Sequence, residues 1–460
     1  VGKINNNYVD MTSGTDAVTG IYTSNSTYAD VYFNTIRIHK GNTTVGSNAY
    51  SNVGGSNIKV KNNNFVNFGA GRAYWNSTTN AIQESDYNNL FSAGNYLAYW
   101  NNSDRTGLES LRLKSGMDVN SLNINPWFLG DEEPDINSSF IDGKGIAISG
   151  ISTDYSNNTR LDPPDIGAVE FTPTVGPIEA GTYTIGGDSP SYPSIVEGLT
   201  DLQQRGISGP IVFDIRSGDY TEHPGVVYKI SGTSATNTIV LKSETGIPED
   251  VRILQQTGNV GQAYNVMTLR GVDYFTLRDL TISALGTIGG RPLSVDRTFT
   301  NVNIINNILT SGNTVSSSVV VNGIFDSTVV KNNVISNGYS GLYFFGDASI
   351  FGSNNSVIGN KITGSKYQGI NMKYQYAPEI IGNEITNTLY GGFEAIRCEL
   401  CSDKMVVSRN RINNDNSDFG INLLDCDATS PNFGLVSNNM IHVGGTSTSN
   451  GISLDNCTRT

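Results

Sequence analysis

The sequence predicts an all-β fold, a parallel β-helix solenoid, from a repeat and from its pattern of short strands. In the C-terminal half, an apolar residue, two variable positions, Asn, one variable position and another apolar residue recur at intervals of 23 to 29 residues. Short runs rich in Val, Ile, Phe and Tyr alternate with clusters of Gly, Asn, Ser and Asp, which is typical of strands separated by tight turns. A repeat of this length is too short for a propeller blade and lacks a helical period, so it fits one rung of a parallel β-helix.

The recurring Asn is predicted to be structural. In a parallel coil, successive rungs stack at about 4.8 Å, so equivalent residues lie on top of each other. An Asn amide turned inward at a corner can donate to one neighbouring rung and accept from the other. The predicted ladder consists of Asn307, Asn333, Asn360, Asn383, Asn410 and Asn439, and the N-terminal part shows the same register at Asn7, Asn34, Asn63 and Asn89.

Composition and charge narrow the function. The chain has 460 residues, a formal net charge of −13 and a pI near 4.7. This charge disfavours nucleic acid and anionic membrane surfaces as partners. No stretch approaches 18 consecutive apolar residues, so no membrane insertion is expected in this segment. The three His residues and the four Cys residues are not spaced like a zinc site.

Three elements between residues 107 and 172 interrupt the repeat. They are Gly116-x-Asp118-x-x-Ser121, Pro126-Trp127-Phe128 and the run from Asp165 to Phe171, which reads Asp-Ile-Gly-Ala-Val-Glu-Phe. This combination resembles the closing region of secreted bacterial right-handed parallel β-helix repeat proteins of the pectin-lyase-like fold, as found in giant surface adhesins. The resemblance implies a right-handed coil that closes here, and a secreted or bacterial outer-surface location.

A second module is predicted after a linker at 173–180. Ile195, Val196, Leu199 and Leu202 have helical spacing, which predicts one short capping α-helix near 193–205. The following Gly218-x-Tyr220-x-Glu222 run resembles the corner that opens many pectin-lyase-like coils, in modules of very large, repeat-rich surface proteins of Bacteroidota. We therefore expect two modules in tandem.

The expected domain bounds follow from these motifs. Residues 1–172 would be the C-terminal part of a first β-helix with a closing region at 107–172, and residues 181–460 the cap and rungs of a second, truncated one. Further modules of the same chain would then be its partners.

Catalytic and metal-binding motifs are sparse. The sequence has no Asp-Asp pair and no Gly-His-Gly, which polygalacturonase-like sites need, and Arg37-Ile38-His39-Lys40 is the nearest basic motif. Asp131-Glu132-Glu133-Pro134-Asp135 is the densest acidic cluster, either a solvated loop or a calcium site. No catalytic residue, metal ligand or cofactor is therefore predicted, with calcium left open.

Aromatic residues suggest a carbohydrate-binding face. Tyr74-Trp75 and Tyr99-Trp100 lie on consecutive predicted rungs, as do Tyr343, Phe344 and Phe345 with Tyr374. Exposed aromatic rings can stack on sugar rings, whereas rings that point inward would form the core. The predicted binding residues are Trp75, Trp100 and Tyr374.

The cysteines give a further register. Cys398, Cys426 and Cys457 each follow a Gly by six residues, which predicts that they stack on adjacent rungs. A free thiol ladder and a disulfide, either between rungs or between Cys398 and Cys401, remain open alternatives.

Taken together, these features predict a non-catalytic extracellular stalk or adhesin segment that presents stacked faces to a cell-surface or polysaccharide ligand. The alternative is a polysaccharide lyase or glycoside hydrolase of the pectin-lyase-like fold, because enzymes of both kinds use parallel β-helices.

Overall fold

A computed structural model describes residues 2–12, 15–130, 134–257, 265–286, 290–312, 318–348, 350–387, 391–428, 431–444 and 448–459. The chain forms two compact units. Unit 1 comprises residues 1–178 with 202–207 and 229–232, and unit 2 comprises residues 179–201, 208–228 and 233–460.

Unit 1 contains three sheets, and each turn of the chain adds one strand to each of them. Sheet A has Gly2–Asn5, Ala29–Tyr32, Ile58–Lys61 and Ile82–Asp86. Sheet B has Tyr8–Met11, Thr35–Ile38, Asn64–Asn67 and Asn89–Ser92. Sheet C has Thr19–Thr27, Asn48–Ser56, Arg72–Asn76, Ala98–Trp100 and Ser103–Arg105. Only the last pair of sheet C is antiparallel among the pairings of these sheets.

Unit 2 repeats this design with sheets D, E and F, all parallel in the described residues. Sheet D has Gly181–Ile185, Ile211–Ile215, Ile239–Ser243, Phe275–Arg278, Val302–Ile305, Val329–Lys331, Ser356–Ile358, Glu379–Ile381, Val406–Ser408 and Leu435–Ser437. Sheet E has Gly218–Tyr220, Val251–Gln255, Thr281–Ala284, Ile308–Thr310, Val334–Ser336, Lys361–Thr363, Glu384–Asn387, Arg411–Asn414 and Met440–Val443. Sheet F has Gly225–Tyr228, Asn265–Arg270, Arg291–Thr300, Val319–Asp326, Ser340–Gly346, Gln368–Lys373, Phe393–Glu399, Ser417–Leu424 and Asn450–Asp455, with Gly352–Ser353 and Gln375–Tyr376 beside it.

Stacked apolar columns form the interior of unit 2. In sheet D the column Ile304, Val330, Val357, Ile380 and Val407 is fully buried. In sheet E the column Leu309, Ile335, Ile362, Ile385 and Ile412 is at most 1% exposed. These are the two apolar positions of the repeat, so the predicted all-β parallel solenoid is confirmed.

The described residues contain two α-helices, α1 at Leu108–Ser115 and α2 at Ile195–Arg205, and a short 3-10 helix at Pro248–Asp250. Helix α2 agrees with the predicted capping helix, whereas α1 was not predicted. Gly107 caps the N-terminus of helix α1, because its N–H and its carbonyl both bond the hydroxyl of Ser110. It ends at Gly116, which has a left-handed conformation with φ of 69°.

The N-terminus of α2 is held by the Gly-x-Tyr-x-Glu corner. The carboxylate of Glu222 accepts hydrogen bonds from the N–H groups of Ile195 and Val196 at 2.8 and 2.9 Å, and Ser194 accepts one from the N–H of Glu197. A carboxylate there satisfies helix-end donors and faces the positive end of the helix dipole. The helix lies against the first strand of sheet D, because a Cβ at Gly198 would be 3.2 Å from the Cδ1 of Ile185.

Candidate functional site

The six asparagines predicted as a ladder in unit 2 lie in one hydrogen-bonded column. In each of the five steps, the side-chain oxygen of one Asn accepts bonds from both the backbone N–H and the side-chain amide of the Asn before it, at 2.8–3.1 Å. Each side-chain amide also donates to a main-chain carbonyl of the preceding rung. The column therefore satisfies corner groups that have no strand partner.

The residue before each ladder Asn makes the turn. It has a positive φ throughout the column: Asn306, Asn332, Gly359, Gly382, Arg409 and Asn438. Asn and Gly adopt this conformation at the lowest cost, which explains the Asn-Asn and Gly-Asn pairs of the repeat.

Unit 1 contains a second Asn ladder, and the Gly-x-Asp-x-x-Ser element of the closing region bonds its last member. Asn7, Asn34, Asn63 and Asn88 are linked as in unit 2. The prediction of Asn89 was therefore wrong by one residue. At the end of this ladder, Ser121 accepts from the N–H of Asn88, and Asp118 bonds Ser85, Ser121 and the Asn88 amide. Burial raises the pKa of Asp118. The Gly-x-Asp-x-x-Ser element thus supplies the acceptors that a further Asn would otherwise provide.

The end of the closing region forms a buried ion pair in unit 1. Arg160 and Glu170 are 2.7 Å apart, with side chains only 3% and 7% exposed, and the Arg160 guanidinium lies 3.8 Å from the centroid of Phe33. Asp154 accepts from the N–H groups of Ser156, Asn158 and Glu170, so protein donors occupy its carboxylate. Burial raises the pKa of Asp165 to about 7, although its carboxylate accepts two backbone N–H bonds. These contacts hold the end of the closing region against the rungs of unit 1.

The sequence candidates for catalysis do not assemble into a site among the described residues. Arg37 donates to the carbonyl of Gly130 and covers the ring of Phe128, while His39 bonds the carboxylate of Asp10 at 2.6 Å. The acidic residues Asp131, Glu132 and Glu133 lie outside the described residues. No group of three or more His, Cys, Asp or Glu in the described ranges is placed to hold a metal ion.

An outward cluster on sheet C is the strongest binding candidate. Trp75 and Tyr99 lie on neighbouring strands with ring centroids 3.8 Å apart and planes 6° from parallel. The Arg72 guanidinium lies 5.1 Å from the Trp75 centroid, 5.5 Å from that of Tyr96 and 6.0 Å from that of Tyr99. Asp104 holds Arg72 through a 2.6 Å hydrogen bond. We call this group, with Tyr22, the aromatic face.

The aromatic face continues along the solenoid axis. Tyr22, Ser51, Trp75 and Tyr99 occupy equivalent positions on four successive strands, a span of about 14 Å at about 4.8 Å per rung. Tyr22 is 59% exposed, and Tyr96 is also exposed. The face therefore offers three aromatic rings over this span, interrupted by Ser51 between Tyr22 and Trp75, with a guanidinium and a carboxylate beside Trp75 and Tyr99.

Trp100 is not part of this face. It is 2% exposed and packs edge-on against Tyr74 with centroids 5.5 Å apart. The strand register explains the error, because Tyr99 and not Trp100 opposes Trp75. Side chains alternate between the two faces of a strand, so this one-residue difference turns Trp100 inward.

A second outward cluster lies on sheet F of unit 2. Arg397 donates to Glu394 at 3.0 Å and to Glu399 at 2.9 Å, and Lys373 donates to Glu399 at 2.5 Å. Glu394 also accepts from Asn422 and is only 8% exposed. Burial alone would raise the pKa of Glu399, but the bonds from Lys373 and Arg397 outweigh it and lower that pKa. We call Lys373, Glu394, Arg397 and Glu399 the ionic face.

Tyr374 borders the ionic face with much of its ring already in contact. Its ring lies edge-on to Phe345 at 5.6 Å, contacts Phe351 at 5.7 Å, and has the Lys373 ammonium 5.1 Å from its centroid. Phe344 is fully buried in the core. Tyr374 is half-buried by these contacts, and its carbohydrate-binding role stays a prediction.

The cysteine register differs from the prediction. Parallel bridges join Tyr376, Ser402, Asp427 and Thr458, so the residues before them stack: Gln375, Cys401, Cys426 and Cys457. Cys398 instead opposes Leu423. No disulfide links the four cysteines, all of which are described. We call Cys401, Cys426 and Cys457 the thiol column.

Comparison with known proteins supports the fold. Residues 293–458 match the family model described as a right-handed β-helix region. The chain is also similar to a solved pectin methylesterase from Aspergillus niger, at 14% identity and a TM-score of 0.40, over 62% of this chain and 91% of that one. A pectin methylesterase from Erwinia chrysanthemi gives 15%, 0.30, 55% and 82% for the same measures. Likenesses with TM-scores this low carry no argument about this chain, so the support for the fold comes from the family model alone.

No curated protein matches the sequence. No helix among the described residues is long and apolar enough to cross a membrane. The fold is a right-handed parallel β-helix, as the closing motif implied.

Proposed function

We propose that this chain is a non-catalytic, extracellular segment of a bacterial surface protein, a stalk or adhesin whose aromatic face binds polysaccharide. The observation that carries the proposal is the stacked, outward pair of Trp75 and Tyr99. Planar rings bind the apolar faces of sugars, while a neighbouring guanidinium and carboxylate can bond their hydroxyls. Arg72 and Asp104 are already held in place beside the rings, so binding orders few side chains.

The charge of the chain favours a neutral polysaccharide. The net charge is −13, and the only cation of the aromatic face, Arg72, is balanced by Asp104. An acidic polysaccharide would therefore be repelled by the chain as a whole without gaining an uncompensated cation at the face.

The continuous ladders favour a load-bearing or spacing role. In unit 2, six asparagines on successive rungs bond one another without interruption. A solenoid stabilised in this way holds its outward faces at fixed intervals. Several weak contacts with one cell surface can then add up to strong overall binding.

The ionic face argues against hydrolysis. Glycoside hydrolysis needs one carboxyl group that remains protonated to donate to the leaving oxygen. The pKa of Glu399 is lowered, and both Glu394 and Glu399 bond the guanidinium of Arg397. Glu399 is therefore not placed to hold a proton for a leaving group.

The test measures binding and product release together. In native gels containing neutral polysaccharides, the wild-type protein should be retarded, whereas Trp75→Ala and Tyr99→Ala should migrate freely. Tyr155→Ala is the matched control, because Tyr155 is 53% exposed and lies outside the aromatic face. No reducing ends should be released, with or without calcium. Release that disappears in Glu394→Gln or Glu399→Gln would instead establish a polysaccharide hydrolase.

A further inference from the structure

The thiol column repeats the geometry of an Asn ladder at another corner of unit 2. The Sγ of Cys426 donates to the carbonyl of Cys398 at 3.5 Å, and the Sγ of Cys457 donates to that of Leu423 at 3.4 Å. In both cases the acceptor is three residues before the cysteine of the preceding rung: Cys398 precedes Cys401, and Leu423 precedes Cys426. The Sγ of Cys457 also accepts from the N–H of Cys426 at 3.4 Å. One rung earlier, the amide of Gln375 occupies this position.

Hydrogen bonds from a thiol stabilise the corner less than those from a side-chain amide. An S–H group is a weak donor and its sulfur a weak acceptor, so the corner gains less from Cys than from Asn or Gln. Loss of a thiol proton therefore costs the corner little hydrogen bonding. The structural role alone does not account for a change from amide to thiol on three successive rungs.

The spacing of the column suits a cation that takes two ligands in line. Equivalent residues of adjacent rungs are separated by about 4.8 Å. Two metal–thiolate bonds of about 2.3 Å placed end to end span about 4.6 Å. A disulfide would require the two sulfur atoms to approach to about 2 Å, and stacked Cβ atoms point in parallel directions, which opposes that approach.

The chemistry of the column selects soft ions. Thiolate ligands favour Cu(I) and similar cations over Mg²⁺ or Ca²⁺. No cage of three or more ligands exists among the described residues, so ions that need tetrahedral coordination find no site. Cys401 and Cys426 are each 1% exposed, which keeps water from competing for the ion.

We propose that the thiol column is a binding site for soft monovalent cations, such as Cu(I) or Ag(I), held in line between the sulfurs of adjacent rungs. Each ion cross-links two rungs and displaces thiol protons to solvent. Because thiolate ligands must lose their protons, binding is tighter at higher pH.

Silver(I) is the probe, because it is stable in air, and the titration is carried out without oxygen so that no disulfide forms during the experiment. One equivalent is added to the purified chain, and X-ray absorption at the silver edge counts its neighbours. The wild-type protein should show two sulfur neighbours at about 2.3–2.4 Å and no nitrogen or oxygen neighbour. Its unfolding temperature should rise by a few degrees.

Three variants test whether the thiol column, rather than another pair of cysteines, binds the silver ion. Cys426→Ser removes the shared ligand of both adjacent pairs but keeps a hydroxyl donor at the corner. It should show a single sulfur neighbour and no thermal shift, with an unchanged circular dichroism spectrum. Cys457→Ser and Cys398→Ser should each retain two sulfur neighbours. The proposal is overturned if Cys426→Ser keeps two sulfurs, if Cys398→Ser loses one, or if silver in the wild-type protein is held by one sulfur with nitrogen or oxygen.

Discussion

Replacing Asn383 by Leu tests whether the ladder stabilises unit 2. Asn383 is 1% exposed, and its side-chain oxygen accepts from the backbone N–H of Asn360 at 2.9 Å. Its amide donates to the carbonyl of Val357 at 2.9 Å. Leu removes these two bonds and two more, with the side-chain amide of Asn360 and the side-chain oxygen of Asn410. The buried N–H of Asn360 and the carbonyl of Val357 then lose this partner. At about 1–3 kcal/mol for each of these two buried main-chain groups, the expected loss is about 2–6 kcal/mol.

Two measurements check this value. Urea unfolding followed by circular dichroism should give the loss of unfolding free energy. Hydrogen exchange should show faster exchange at the Asn360 amide than at amides two rungs away, because the defect is local. Glu384→Leu is the control, since Glu384 is exposed and faces Lys361 and Arg411 on the adjacent strands, an arrangement worth about 0–1 kcal/mol. Equal losses in the two variants would refute a stabilising ladder.

Three further predictions concern the closing region and the cap. Arg160→Met should cost about 3–5 kcal/mol, because it leaves Glu170 buried and unpaired, whereas Lys114→Met on the exposed side of α1 should be nearly silent in the same urea assay. Burial raises the pKa of Asp165 to about 7 in the folded protein, above the value of 3.8 expected in the unfolded chain, so its contribution to stability is fully present below about pH 4 and is lost as pH rises through 7. The stability difference between the wild-type protein and Asp165→Asn should therefore change across that interval, and a difference independent of pH would contradict the raised pKa. Glu222→Ala should cost about 1–2 kcal/mol by removing acceptors at the start of α2, and unchanged thermal unfolding would rule out a capping role.

The architecture and the ladder of unit 2 could be predicted because a fixed period identifies equivalent residues without a structure. The repeat contains both buried columns and the Asn column between them, and each column is filled with chemically similar residues. Periodicity alone was thus sufficient to place Asn307 to Asn439 on one corner.

The wrong assignments of Trp100 and Cys398 arose where successive rungs differ in their number of residues. Tyr74-Trp75 and Tyr99-Trp100 were matched as pairs, but Ala98 opposes Tyr74, so Tyr99 faces outward and Trp100 does not. The alternation of side chains turns any one-residue slip into a change of face.

The cysteine register failed for a related reason. The prediction aligned Gly392 with Gly420, an offset of 28 residues, whereas Glu394 opposes Phe419, an offset of 25 residues. Cys398 therefore opposes Leu423, and Cys401 stacks with Cys426 instead. The distance of each cysteine from a glycine does not reveal this difference in register. The ionic face was likewise missed, because its members come from two strands whose register was not known.

Tryptophan fluorescence during titration with a neutral oligosaccharide tests the proposed binding role most directly. Trp75 is the outward ring of the aromatic face, whereas Trp100 is buried beneath it, and Phe can replace either with limited loss of packing. The emission of the wild-type protein and of Trp100→Phe should change with the same midpoint, and that of Trp75→Phe should not respond. A response that persists in Trp75→Phe, or that is lost only in Trp100→Phe, would contradict binding at the aromatic face.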